Sequence, residues 1–314
     1  MQRFILIALI LLLTVSASAQ DAEITPEATE SIAVRSNAEP IYSIEGDSVI
    51  LDVYFNTIRQ GRVGVLRLSG DNIERASAVV SLSTVGFSQL EGREDWWAFI
   101  SIDMGQTIRL YDLIVTIEQS NADVQVLQTQ FNVVSGGFIS QAVQLAPDDA
   151  LNRLLDPEIE AAELARIFEI ASVVSDDAYW TENSFIAPSP NAELTSPFGA
   201  ARVFNEELQT VHTGWDFNAP TGTPLMATAS GQVAFAGMLD IRGNYVLVNH
   251  GRGIYSGYAH LAVVYVTQGQ EISEGQVLGI VGSTGRSSSA HAHFEMIANG
   301  MWIDSADFLR MFMP

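Results

Sequence analysis

From Ile41 onward, outside one stretch near the middle, the apolar residues of this chain come in short runs alternating with polar ones. That period of two dictates strands. Val49–Phe55, Val63–Leu68, Ala78–Leu82, Trp97–Ile102, Leu110–Ile117 and Val124–Val134 are predicted strands, separated by turn clusters such as Glu45-Gly46-Asp47 and Ser69-Gly70-Asp71. Six or seven short strands between Ile41 and Val134 predict a β-sandwich of the immunoglobulin-like type. This part carries no histidine, and its Trp96-Trp97 pair is expected in the core rather than on a sugar-binding surface.

The exception to the strand period follows the sandwich. Asp156-Pro157 is a helix start, because aspartate accepts orphan N–H groups and proline suits the first helical position. Ile159, Ala162, Leu164, Ile167, Phe168, Ala171 and Val174 then form an apolar stripe at helical spacing. A turn of helix over Asp148–Leu155 is expected to precede it. After Leu194 the strand period returns, punctuated by glycine: Gly231–Phe235, Tyr245–Asn249, Ile254–His260, Val277–Val281 and His291–Ile297, with a short helix over Ser305–Met311.

The N-terminus has the pattern of an export signal. Arg3 supplies a positive charge, Phe4–Val15 an apolar core too short to span a bilayer, and Ala17-Ser18-Ala19 a cleavage site. The expected organisation is a signal peptide (1–19), an acidic flexible tether (20–38), a sandwich (39–136), a helical connector (137–182) and a C-terminal domain (183–314). The fold class is mainly β: an N-terminal sandwich, a short helical connector and a glycine-rich antiparallel sheet domain. An exported chain would act outside the cytoplasm, extracellularly or in the cell envelope, and meet a membrane only through an uncleaved signal.

The 314 residues carry a net charge of −22, and every basic residue is arginine. Such a surface repels phosphate backbones, which excludes nucleic acid as a partner. From Pro190 onward ten acidic residues face five arginines, a net of −5, so most negative charge lies upstream of the C-terminal domain. Cysteine is absent, which excludes disulfides and thiolate ligands.

All five histidines fall in that C-terminal domain, four of them in three motifs. His212 and Asp216 stand four apart in VHTGWDFNAPTGTP, His260 ends YAHL, and His291 and His293 form HAHFE. Residues two apart on a strand project from one face, so two such pairs meeting across a sheet bring three or four ligands around one ion. Imidazole and carboxylate are the zinc ligands open to a protein without cysteine. A catalytic zinc takes three of them and keeps a fourth position for water.

At these motifs the chain resembles the M23 family of zinc metallopeptidases, the LytM or lysostaphin type. The matching runs are TSPFG, HTGWDFNAPTGTPLMATASGQV, GNYVLVNHGRGIYSGYAHL, VTQGQEISEGQVLGIVGSTG and HAHFEMIANG, from about Leu194 to Leu309. The resemblance implies Zn2+ held by His212, Asp216 and His293, with His260 and His291 as catalytic imidazoles. It implies hydrolysis of peptide bonds in peptidoglycan stem or bridge peptides, by a chain expected to be a monomer. Ala292 stands where the family usually has leucine, and Ser287–Ala290 where it often has Thr-Gly-Pro; both departures bear on groove shape. His250 matches a recurrent position with an expected structural role, while Arg202, Asn205 and Tyr258 are expected along the groove. The competing function is a metal-free M23-like regulator, or a wall-binding module, that activates other hydrolases. Such regulators generally lose ligands, and all the ligand positions are retained here.

Overall fold

The computed structural model describes residues 39–90, 92–144, 153–175, 177–181, 185–189, 193–206 and 208–311. The expected signal and tether, and most of the helical turn expected at 148–155, lie outside the described residues. No helix among those described is long and apolar enough to cross a membrane.

The first strands are β1 (Tyr42–Glu45), β2 (Val49–Val53), β3 (Thr57–Arg59), β4 (Val63–Gly70) and β5 (Ile73–Val80). They are followed by β6 (Ser83–Gly86), β7 (Ser88–Gln89), β8 (Trp96–Ser101), β9 (Leu110–Gln119) and β10 (Val124–Val134). They form two five-stranded sheets, ordered β1-β2-β4-β8-β7 and β3-β10-β9-β5-β6. Alternate residues of both sheets, among them Leu51, Leu66, Ile100, Ala78, Leu113 and Phe131, close into one apolar core. All pairings are antiparallel except β3 against β10, which run parallel.

More strands form than the periodicity predicts. The extra ones are short or sit at edges, where burial no longer imposes a clean alternation. The strand expected over Ala78–Leu82 instead spans Ile73–Val80, and Leu82 is fully exposed in the turn that follows. Trp97 is buried as expected.

β11 (Ser140–Val143) leaves the sandwich and joins the C-terminal region, and α1 (Pro157–Ala171) follows. Asp156 caps α1, its carboxylate accepting from Glu158 N at 2.9 Å. The buried face of α1 follows the expected stripe in part: Ile167 and Ala171 are buried, but Glu163 joins them, and Phe168 and Val174 are exposed. The stripe thus found part of the buried face and missed Glu163, since a buried glutamate breaks an apolar pattern.

The C-terminal region begins with β12 (Glu193–Ser196), β13 (Ala201–Phe204), β14 (Leu208–Val211), β15 (Trp215–Asn218), β16 (Pro224–Met226) and β17 (Gly231–Leu239). Then come β18 (Gly243–Gly251), β19 (Ile254–Val264), β20 (Glu271–Ile272), β21 (Val277–Val281), β22 (Ala292–Ala298), β23 (Met301–Ile303) and α2 (Ser305–Arg310). The main sheet runs β12-β15-β22-β19-β18-β17-β20, while β11, β13 and β14 form a separate small sheet.

Both faces of the central strands are covered. Val246, Val248, Tyr258, Phe294 and Met296 enter a cluster shared with Trp97 and Phe99 of the sandwich and Phe308 of α2. Their sequence neighbours Tyr245, Leu247, Tyr255 and Ile297 enter a second cluster with Ile167 and Ala171 of α1. Burial on both faces explains the nearly continuous apolar run in β18 and β19.

Candidate metal centre

The site is built on the sheet face that meets α1. Asp216 on β15 lies directly opposite His293 on β22, which in turn lies opposite Ala259 on β19. The row across three strands therefore places Asp216 beside His293 and next to the position of His260. His212 reaches the same point from just beyond β14. Gly214, between His212 and Asp216, has no room for a side chain: a Cβ there would lie 2.3 Å from Phe294 O.

His260 sits where β19 bulges. The pairing with β18 shifts between Tyr258 and Leu261, and His260 takes a left-handed φ of 59°. A non-glycine residue in that region costs roughly 1–3 kcal/mol and is kept where surroundings over-determine it. Bulges re-aim side chains, and this one turns His260 towards His291 and His293, with ring centroids 4.8 and 5.8 Å away.

One imidazole departs from the expected placement. His291 lies just before β22 rather than on it, so the two residues of HAHFE do not project from a common strand face. A loop turn still brings His291 Nε2 within 3.6 Å of Asp216 Oδ1.

Each imidazole is anchored through one ring nitrogen. His212 Nδ1 donates to Pro197 O at 2.8 Å, His260 Nδ1 to Thr284 O at 2.7 Å, and His291 Nδ1 to Ser289 O at 2.8 Å. His293 Nε2 faces Glu295 Oε2 at 3.4 Å. The Thr284 carbonyl can approach because Gly243 leaves no Cβ in its way.

The remaining nitrogens converge. His212 Nε2 lies 3.0 Å from His293 Nδ1 and 3.1 Å from Asp216 Oδ1, and His293 Nδ1 lies 2.9 Å from the same oxygen. The ligand atoms of this trio lie within 4.8 Å of one another. With the outer nitrogens of both rings spent as donors, these three atoms face each other as acceptors. Such an arrangement calls for a positive charge between them, which a proton on His293 or a cation supplies. The donor set, two imidazoles and a carboxylate, fits zinc.

The electrostatics follow from burial and neighbours. Burial pushes His212 down to about 4. It opposes ionisation of Asp216 as well, but His212 and His293 outweigh it and hold the carboxyl well below its usual range. Burial also lowers His293, yet Asp216 and Glu295 outweigh it and raise this imidazole. Burial, then the neighbouring His291, holds His260 well below the ordinary imidazole value, and burial lowers His291 too. Both imidazoles are therefore neutral at neutral pH.

A cleft of about 500 Å³ opens beside the trio, lined by Gln141 and Val143 of β11, Arg202, Asp216, His260 and His291 among others. Arg202 Nη2 donates to Asp216 Oδ2, so its place at the groove holds. Tyr258 does not line the groove. Its ring is buried and its hydroxyl accepts from Thr228 N at 2.8 Å, a core role dictated by its inward face on β19. His250 is likewise structural, donating to Ser230 O and pairing with Ser256 Oγ.

Two residues next to the site escape the motif reading. Glu295 shares the face of His293 on β22 at a spacing of two, a signal present in HAHFE. Arg242, which binds Glu295 through Nε at 2.8 Å and Nη2 at 2.9 Å, has no sequence signal at all.

Residues 210–305 match the model of Peptidase family M23. The DD-carboxypeptidase/endopeptidase Mpg of Neisseria meningitidis is 40% identical over 115 residues, 37% of this chain and 26% of that protein. The Peptidoglycan DD-endopeptidase ShyA of Vibrio cholerae is 39% identical over 89 residues, 28% of this chain and 21% of that protein. The match thus spans about a quarter of these curated relatives' length. A solved structure from Pseudomonas aeruginosa, described as a candidate peptidase M23, aligns with a TM-score of 0.58 at 26% identity, covering 81% of this chain and 95% of that one.

Proposed function

With residues 210–305 a domain of peptidase family M23, we propose that the chain is an exported, zinc-dependent endopeptidase that hydrolyses peptide cross-links of peptidoglycan. His212, Asp216 and His293 are the metal ligands; His260 and His291 are the catalytic imidazoles. The observation that carries this reading is the meeting of three acceptor atoms, each held from behind, at one buried point beside an open cleft. The names of the curated relatives support peptidoglycan as the substrate.

Bound zinc supplies a Lewis acid that acidifies water and polarises a scissile carbonyl. The rest of the chemistry belongs to the chain. Arg202 holds the outer oxygen of Asp216 and so fixes the direction of its inner one. His260 and His291, anchored at Nδ1 and neutral, present Nε2 as proton acceptors. One takes the proton of the attacking water and a proton returns to the departing amine, general acid–base work typically contributing roughly 10²–10⁴-fold.

The domain partition (1–19, 20–38, 39–136, 137–182, 183–314) belongs to the same reading. The sandwich order, with two sheets and a parallel β3–β10 edge, supports an immunoglobulin-like module. Digestion of purified peptidoglycan by the chain, with mass spectrometry of released fragments, tests the activity. Hydrolysis that stops on chelation and returns with zinc is expected; undigested sacculi with zinc bound would sink the substrate assignment.

A further inference from the structure

A line of buried, charged contacts runs from the connector helix to the metal centre. Glu163 of α1 accepts from Ile241 N at 2.6 Å, Arg242 N at 3.1 Å and Arg242 Nη1 at 3.0 Å. Arg242 then grips Glu295 with its other two nitrogens. Glu295 also accepts from Tyr245 Oη at 2.6 Å and Thr213 Oγ1 at 2.8 Å, and it backs His293. Glu163, Arg242, Glu295 and His293 are all at most 6% exposed. The same turn touches a second imidazole, because His260 N donates to Arg242 O at 2.8 Å.

Helix α1 lies outside the matched segment, residues 210–305, yet its buried face is turned into the site. Glu160, one helical turn from Glu163, binds Arg286 at 2.9 Å and Thr210 at 2.5 Å. A small cavity of about 50 Å³ is lined by Glu160, Arg242 and Arg286 together with His212, His260 and His293.

We propose that Glu163 is a positioning residue for the metal centre, acting through Arg242 and Glu295 on His293. The physical ground is the cost of leaving a buried guanidinium half-paired. Without the Glu163 carboxylate, Arg242 loses one of its two carboxylate partners and the Ile241–Arg242 turn loses the acceptor of two N–H groups. Arg242 then shifts in search of another acceptor and carries Glu295 with it. His293 loses the carboxylate that fixes its ring and its free Nδ1. Groups that orient metal-ligating histidines in this way are worth roughly 10- to 100-fold in metal affinity. The connector helix is on this view part of the catalytic unit rather than a spacer.

The inference rests on the zinc reading above, and the test separates the two. Zinc dissociation constants are measured by chelator competition on the full chain and on the variants Glu163→Gln, Glu163→Asp and Ile167→Ala. Ile167 is buried on the same helix in an apolar cluster and carries no polar group that could enter the charged line, so its variant reports general loosening of α1. Glu163→Gln is expected to weaken zinc by roughly 10-fold or more, and Ile167→Ala to lower the melting temperature while leaving zinc affinity near the parent's. Parental affinity in Glu163→Gln, or an equal loss in Ile167→Ala, would overturn the proposal. Should Glu163→Gln not fold, Glu163→Asp decides: a several-fold loss supports it and parental affinity overturns it. Failure of the parent itself to bind zinc would instead sink the functional reading.

Discussion

The sandwich and the C-terminal region solve the same problem, burying two-sided strands, with opposite tolerance for polarity. Among the described residues of the sandwich, the buried polar side chains are Asp52 and Gln119, and the core between its sheets is apolar. The C-terminal region buries His212, Asp216, Arg242, His250, His260, Arg286, His293 and Glu295, with Glu163 contributed by the helix. Each is paired, as burial demands. The difference teaches where function is stored: the sandwich is specified mainly by apolar packing, while the C-terminal region devotes its interior to a charged network that ends at three converging acceptors.

The sharpest way to break the contrast is to strike the network at its end. Asp216→Ala is expected to abolish zinc binding and hydrolysis together while leaving the sandwich folded, read by metal analysis and circular dichroism. His260→Ala comes next. It is expected to keep zinc and lose roughly 10²–10⁴ in kcat, because the ring anchored on Thr284 moves protons without belonging to the ligand trio. Loss of zinc in that variant would erase the distinction drawn between the two sets of imidazoles.

On the other side, Leu113→Ala removes a fully buried side chain from between the sandwich sheets. A cost of about 2–5 kcal/mol in unfolding free energy is expected, with the zinc dissociation constant unchanged. A matching fall in zinc affinity would mean the two regions are not energetically separate.

The smallest effect concerns His250, held by burial at about 4 against an ordinary 6.5. A histidine depressed on folding refuses protons that the unfolded chain accepts, so stability falls as pH drops below 6.5 towards 4. Between pH 6.5 and 5 this histidine contributes a loss of about 2 kcal/mol. Chemical unfolding at both pH values should show that loss in the parent and a shallower one in His250→Gln. Equal slopes would mean His250 titrates normally.

Legibility in the sequence followed the same divide. Strands with one buried face announced themselves by alternation, as did Leu110–Ile117 and Val124–Val134, whereas short edge strands such as β6 and β7 did not. The histidine motifs were legible because chemistry needs those residue types at those spacings. The backing network was not: Glu163 and Arg242 are distant in sequence and meet only through the turn between β17 and β18. A buried glutamate on α1 also looks solvent-facing to any hydrophobic pattern, which is why the apolar stripe found Ile167 and Ala171 but missed Glu163. His291 lies off its strand for a similar reason. The serine-rich run before it carries no strand signal, and the loop it forms delivers the ring to the site.

The most direct test of the converging acceptors is the zinc content of the purified chain at neutral pH, beside His293→Ala. About one zinc per chain in the parent and none in the variant is the expected result. A metal-free parent, or zinc retained by His293→Ala, would contradict the assignment of His212, Asp216 and His293 as one cation site.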